Sequence, residues 1–378
     1  MYVEQVTTER ELREFIRVPV KIYRGNPNWV RPLDYDLRER LDERWHPFYD
    51  HGWARKFLVR DGGTAVGRVL VADDPRFNAE NGSNQGTFGF FESVDDQQVA
   101  NLLLDTCANE LSSRGRDTLF GPVEYSTNYE CGLLIKGYDE PPSLLMPYNQ
   151  PYYQRLLETW GLCKNKDLFA WQLDDPSVIM ERWPTLLNRF EQRYPISIRP
   201  FALDNFTEDL QKCIQVYEAV RKDWWWACVS MTKKEIENYA RLVRLMTPAD
   251  LVLLAEDQGQ PVGFCLAAPN YNEAIKPLNG SLSFCGVPWL GLPRLLWRTK
   301  KIQSIRLMVL CLLPQYQHRG IAERLIYQVV RNCLEHHSYC RGELGWTDEK
   351  NDRINRIIKR VGGRCEKVFR VYERKLQP

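Results

Sequence analysis

The stretch of this chain best suited to chemistry runs from Ile305 to Leu325. There an apolar run, Ile305 to Leu313, passes through Pro314-Gln-Tyr-Gln-His-Arg-Gly320 into a helix that starts at Ile321. A buried strand feeding a helix across a short loop leaves the first helical N–H groups without intrahelical acceptors, and their partial positive charge suits an anion. Gly320 lets the backbone approach closely, and His318 and Arg319 add positive charge beside it. The sequence Gln317-His318-Arg319-Gly320-Ile321-Ala322 therefore fits a pyrophosphate. Strand, glycine turn and helix is also a common structural connection, and glycine spacing alone does not separate the two readings.

Two further segments stand out. Glu124-Tyr-Ser-Thr-Asn-Tyr-Glu-Cys-Gly-Leu-Leu134 and Met146-Pro-Tyr-Asn-Gln-Pro-Tyr-Tyr153 are dense in Tyr, Asn and Glu. Such residues line a polar pocket or serve as turn residues and interface aromatics. Cys131 has no neighbouring His to activate it and reads as a buried structural thiol. Phe284 to Lys301 combines Trp289, Trp297 and large aliphatics with Arg298, Lys300 and Lys301. It is too short to span a bilayer, and reads either as a segment for a membrane interface or lipid tunnel or as a buried connection under a sheet. Trp224-Trp225-Trp226 similarly shapes an acceptor pocket or simply packs.

Composition bounds the function. Lys and Arg number 51 against 49 Asp and Glu, a net charge of +2, so no overall field argues for nucleic acid. The 11 cysteines form no C-x-x-C pair and the 5 histidines sit at no zinc-ligand spacing, so no metal is expected and a reducing cytoplasm is the simplest setting. Glu4 and Glu9 replace the basic start and apolar run of a signal peptide. No stretch reaches the roughly 20 apolar residues of a spanning helix, so any membrane contact is peripheral, at the inner face.

The elements that must position the Gln317–Ala322 loop recur in order. Helix Thr8–Tyr23 is followed by a Pro-containing arm from Asn26 to Pro32. A hairpin turns at Asp61-Gly62-Gly63 and ends at Ala72; strand Gly86–Ser93, helix Asp95–Ser113, helix Gln150–Trp160 and strand Leu168–Leu173 follow. The second half repeats this with strand Ile196–Pro200, helix Phe206–Val220, hairpin Leu251–Ala268, strand Ile305–Leu313 and helix Ile321–His336. Asn149 precedes Gly161 and Cys163 as Asn351 precedes Gly363 and Cys365, an Asn-x11-Gly-x-Cys motif twice over. Parallel order plus a repeated motif indicates an internal duplication.

Gln317 to Ala322, preceded by Leu312, Pro314 and Tyr316 and followed by Glu343-Leu344-Gly345-Trp346 and the Asn351-to-Gly363 helix, resembles the signature of the GCN5-related N-acetyltransferase (GNAT) superfamily. The resemblance covers about Ile196 to Leu376. It implies an α/β (α+β) fold of two tandem GNAT-like domains, 1–178 and 179–378, each a mixed, mostly antiparallel sheet flanked by helices. It implies acyl-CoA as co-substrate, with pantetheine between splayed strands four and five, bonded near Leu312 and Leu313, with Asn351 close by, and a primary amine attacking the thioester directly. The usual Tyr that protonates the thiolate is replaced by Ile358 or Lys359. The first half, entering its helix through Glu92, Asp95 and Asp96 with no phosphate glycine, is expected to bind no CoA.

Over the whole chain, Ser126 to Gly132, Met146-Pro147-Tyr148-Asn149 and the late Gln-x-x-Gly-x-Ala motif resemble a bacterial family of tandem GNAT-like proteins that includes bacterial ceramide synthases. That implies acyl transfer to the amine of a long-chain sphingoid base. The candidates for handling the proton are Glu343, at the start of strand five, and Tyr129 or Glu130 from the first half's loop. Two other readings are a regulatory protein that binds acyl-CoA without transfer and a soluble acetyltransferase of a small amine or protein.

Overall fold

The structure is a computed structural model that describes residues 1–224, 227–283, 287 and 289–376. The first half contains β1 (Tyr2–Gln5), α1 (Glu9–Ile22), α2 (Asp34–Leu41), β2 (Trp53–Asp61), β3 (Thr64–Asp73), α3 (Pro75–Asn81), β4 (Gln85–Ser93), α4 (Gln97–Ser113), β5 (Thr118–Gly121), β6 (Leu133–Lys136), α5 (Tyr153–Trp160) and β7 (Cys163–Leu173). A connector of α6 (Ser177–Arg182) and α7 (Pro184–Arg193) leads to the second half. This holds β8 (Ser197–Pro200), α8 (Phe206–Trp224), α9 (Lys233–Met246), β9 (Val252–Asp257), β10 (Gln260–Pro269), α10 (Asn272–Ile275), α11 (Gly291–Thr299), β11 (Ser304–Leu312), α12 (Ile321–His336), β12 (Arg341–Asp348), α13 (Asp352–Arg360) and β13 (Arg364–Lys375).

Local chemistry explains most boundaries. Thr8 caps α1 and Glu11 reaches back to close a capping box. Gly62 and Gly63 take positive φ in the β2–β3 turn, as Gln258 and Gly259 do between β9 and β10. Helix α9, absent from the pattern reading, also starts on a capping box, Thr232 with Glu235.

Among the described residues the strands form one 13-stranded sheet in the order β1-β2-β3-β4-β5-β13-β7-β12-β11-β10-β9-β8, with β6 added to β13. Only β4–β5 and β11–β12 pair in parallel. Each half lends its last strand to the other: β13 lies against β5, β7 lies against β12, and the two lent strands pair antiparallel at the centre. Their register is symmetric. The shift along the chain that places Cys163 on Cys365 converts the pair Cys163↔Glu373 into Trp171↔Cys365, and both pairs are present. The duplication legible in the sequence is thus a two-fold relation between β7 and β13.

Apolar layers cover both faces. In the second half, α12 and α13 pack with α6 and α7 through Ile179, Leu187, Leu325, Val329 and Ile358, while α8 covers the other face through Val216 and Val220. In the first half α4 and α5 pack one face and α1 the other. At the junction, Phe120, Cys131, Leu134, Leu168, Phe369 and Val371 form a shared core.

Because the lent strands bury this junction, urea unfolding should show one cooperative transition, and Phe369→Ala should lower stability by about 3–5 kcal/mol. Fragments 1–178 and 179–378 should each stay unfolded alone; an independently folded fragment, seen by near-UV circular dichroism, would contradict the exchange.

Candidate functional site

Strands β11 and β12 pair from Ser304↔Arg341 only to Leu307↔Leu344. Beyond that point β11 follows β10, with Met308 as the extra residue of a bulge opposite Leu266 and Ala267, and β12 follows β7 across its own irregularity between Leu344 and Thr347. The divergence opens a cleft lined by Met308, Leu310, Ile326, Trp346, Asn351 and Ile358. Leu313 donates its N–H to the Val262 carbonyl at 2.9 Å, one residue outside the Gly263↔Leu312 pair. That pattern makes Gly263↔Leu312 a non-hydrogen-bonded pair, so Leu312, and Leu310 two residues back, turn their N–H and C=O groups away from β10 toward the cleft. Leu313 does not: its carbonyl also accepts from Tyr316 N–H at 2.9 Å.

Past β11, Pro314 starts a single 3₁₀ turn. Tyr316 donates its hydroxyl to Asp257 at 2.8 Å, and Gln317 Oε1 accepts from Arg353 of α13 at 2.6 Å. The Arg319 guanidinium lies over the rings of Tyr316 and Tyr194, 4.7 and 5.4 Å from their centroids. His318 is exposed at φ +66° and Gly320 takes φ +74°, two left-handed residues that turn the chain into α12. No side chain caps α12. Ile321 and Ala322 bury their side chains in the core, so they fix the helix start while its backbone N–H groups point outward. At Gly320 a Cβ would come within 2.3 Å of the Phe190 ring of α7. Asn351 caps α13, accepting from Ile354 N–H at 3.3 Å, on the cleft wall.

The three residues expected to handle the proton are each held by a different partner. Glu343 is buried beside the closed end of the cleft, paired with the equally buried Lys367 at 2.9 Å. Tyr129 donates its hydroxyl to Glu235 of α9 at 2.7 Å, tying the first half's loop to the second half. Glu130 pairs with Arg40 at 3.1 Å, and the same guanidinium binds Glu124. Burial, opposed by Arg40, pushes the Glu124 carboxyl up to about 8. The Cys131 thiol is buried, as its surroundings in sequence suggested, and burial raises it to about 12.

Pattern reading missed Arg306 and the role of Trp346. Arg306, buried on β11 opposite Glu343, donates to the Gly345 carbonyl through Nε and Nη2 at 3.2 and 3.1 Å, and to the Leu144 and Leu145 carbonyls at 2.5 and 3.0 Å. It thus clamps the first residue of the splay to a loop of the other half. Burial pulls its guanidinium down to about 10. Trp346 Nε1 and Glu343 Oε1 are buried with no hydrogen-bond partner among the described residues, so each is left to a ligand or water. An arginine inside an apolar strand was the only available signal. Trp225 and Trp226, like Phe284, Cys285, Gly286 and Pro288, lie outside the described residues.

The first half has the same divergence with a different content. Pairing of β4 with β5 ends at Thr87↔Phe120, but Val123 then donates its N–H to Phe88 at 2.7 Å and fills the opening. Gly89 is required there, since a Cβ would lie 2.5 Å from the Val123 carbonyl oxygen. Asp96 caps α4, and Glu92 is buried near the end of β4, held by Tyr153 at 2.6 Å with Arg68 at 3.7 Å.

A splayed parallel pair ending in an uncapped helix, carried by a mixed sheet whose two halves repeat the same order of elements, is the arrangement of an N-acyltransferase of the GNAT class. The chain belongs to the GCN5-related N-acetyltransferase superfamily, in the tandem family that includes bacterial ceramide synthases. The sequence signature of the acetyltransferase (GNAT) family matches residues 217–362. The chain is 31% identical to the Bacterial ceramide synthase of Caulobacter vibrioides (strain NA1000 / CB15N), over 98% of this chain and 96% of that protein. It is 29% identical to Protein YghO of Escherichia coli (strain K12), over 99% and 95% respectively. Among solved structures, the tandem GNAT protein from the clavulanic acid biosynthesis pathway shares the fold with a TM-score of 0.57 at 11% identity, covering 100% of this chain and 98% of that one. No described helix is long and apolar enough to cross a membrane, and no described group of three His, Cys, Asp or Glu is placed to hold a metal.

Gly320→Ala should weaken CoA binding at least tenfold by isothermal titration, because the new Cβ strains a left-handed residue and displaces Phe190. Unchanged affinity would move the nucleotide elsewhere.

Proposed function

We propose that this N-acyltransferase takes its acyl group from acyl-CoA and delivers it to the primary amine of a long-chain sphingoid base. The observation that carries the donor is the divergence of β11 from β12, with Leu310 and Leu312 turning backbone groups into the cleft and Gly320 opening α12 at its end. Support for the acceptor comes from the name of the Caulobacter relative.

In this reading residues 179–378 hold the donor and 1–178 supply the loop that closes over it. Loop residues Gln317, His318, Arg319 and Gly320 with the N–H groups of Ile321 and Ala322 take the pyrophosphate; Asn351 stands on the wall, and Leu310 and Leu312, not Leu313, offer backbone groups to the pantetheine. The amine nitrogen attacks the thioester carbonyl carbon, the C–S bond breaks, and the thiolate leaves with a proton. Trp346 Nε1 donates to the developing oxyanion. Glu124 and Glu130, sharing Arg40, take the ammonium proton; Glu343 stays bound to Lys367, and Tyr129 positions the loop through Glu235. A second reading, binding without transfer, is favoured by Ile358, which lines the cleft with no proton to give, and by Lys359, which lies over Trp171 at 5.6 Å.

Offered acetyl-CoA or palmitoyl-CoA with sphinganine or a soluble polyamine, the chain should release free thiol only with palmitoyl-CoA and sphinganine. Release with acetyl-CoA and polyamine would make it a soluble acetyltransferase, and CoA binding without release from any pair would select the second reading. A base that deprotonates near pH 8 makes kcat rise with pH through that value to a plateau. Glu124→Gln should therefore lower kcat about 10²–10⁴-fold and remove that limb; a variant with the wild-type profile would exclude Glu124.

A further inference from the structure

Helix α11 and the turn before it form an apolar surface that the other described residues leave uncovered. Trp289, Leu296 and Trp297 are 56%, 58% and 54% exposed, and Leu290 and Leu292 are exposed beside them. This excludes the alternative of a buried connection. The orientation is built in: Gly291 donates its N–H to the Leu282 carbonyl at 2.8 Å and packs so closely that a Cβ would lie 2.8 Å from the same oxygen. With Gly291 inward and Leu295 half-buried, Leu292 and Leu296, one turn apart, must face out. Tyr35 of the first half stands edge-on to Trp289 at 5.7 Å, so the surface spans both halves.

The rim is cationic. Arg294, Lys300 and Lys301 are exposed, and the Lys301 ammonium sits 3.6 Å from the Trp297 ring centroid. No Asp or Glu occurs between Glu273 and Glu323. Apolar residues with interfacial Trp, bordered by cations in a segment without Asp or Glu, match a headgroup layer over acyl chains; Asp34 and Asp36 flank Tyr35 at the first-half edge, with Arg31 and Arg40 beside them. A second copy would fit worse, since a two-fold contact through this face sets each basic rim against another.

We propose that α11 with Val287, Trp289 and Leu290 is a docking face for an anionic phospholipid bilayer. Docking holds whether or not the acceptor is a lipid, and its consequence for the proposed reaction is that a long-chain amine reaches the enzyme from the membrane plane.

The full chain should cosediment with phosphatidylcholine vesicles containing phosphatidylglycerol, and far less with phosphatidylcholine alone or at high salt. Lys300→Glu with Lys301→Glu should weaken binding roughly 10- to 30-fold. Leu296→Glu with Trp297→Glu should abolish it, both variants keeping the wild-type circular dichroism spectrum. The proposal is overturned if neither vesicle pulls the protein down, if both variants bind like wild type, or if the chain is a dimer that Leu296→Glu dissociates. The thiol-release assay in detergent micelles reads the transfer separately, so either idea can fail alone.

Discussion

Strand β7 has two antiparallel neighbours, β13 and β12, and both come from the second half of the chain. The cleft depends on this arrangement. A strand in a parallel pair keeps its partner only while no better register competes, and β12 is drawn by β7 along Thr347↔Phe169 and Asp348↔Leu168 while β11 stays with β10. Two antiparallel ladders pulling in different directions hold the strands apart. The first half thereby shapes the cleft of the second half.

The duplicated halves show how one geometry is opened or shut. Both have a parallel pair that diverges after a few residues and a helix beginning beyond it. In the first half the backbone of Val123 enters the opening and Asp96 satisfies the helix start; in the second, Gly320 brings no cap and the opening stays lined by Met308, Leu310 and Trp346. A single inserted N–H and one capping carboxylate consume the groups that would otherwise face a ligand.

Burying Arg306, Glu343 and Lys367 at the junction costs desolvation that their pairing only partly offsets, and removing one partner of such a pair typically costs about 3–5 kcal/mol. Arg306 spans the residues where β12 departs and the Leu144–Leu145 loop, so displacement of that loop would be felt at the mouth of the cleft. Among the described residues one oxygen of Glu343 and the N–H of Trp346 meet no hydrogen-bond partner, which leaves this polar network open rather than closed.

The turn from β11 into α12 at Gln317 to Ala322 was legible in the sequence because its signals are local: an apolar strand, a glycine and a helix start lie within one short stretch, whereas the left-handed backbone of His318 was seen only in the structure. The duplication was legible for the same reason, since the Asn-x11-Gly-x-Cys repeat marks equivalent strand starts. Strand exchange was not, because Cys163 to Leu173 reads alike whichever half it joins; only the pairing of Trp171 with Cys365 and with Leu344 decides it. Nor could the sequence say that Glu343, Tyr129 and Glu130 would find Lys367, Glu235 and Arg40 as separate partners, or that α11 would face outward. Ion pairs between residues distant in the chain and the exposure of an apolar helix are set by which faces the sheet order brings together, and the tertiary structure alone determined them.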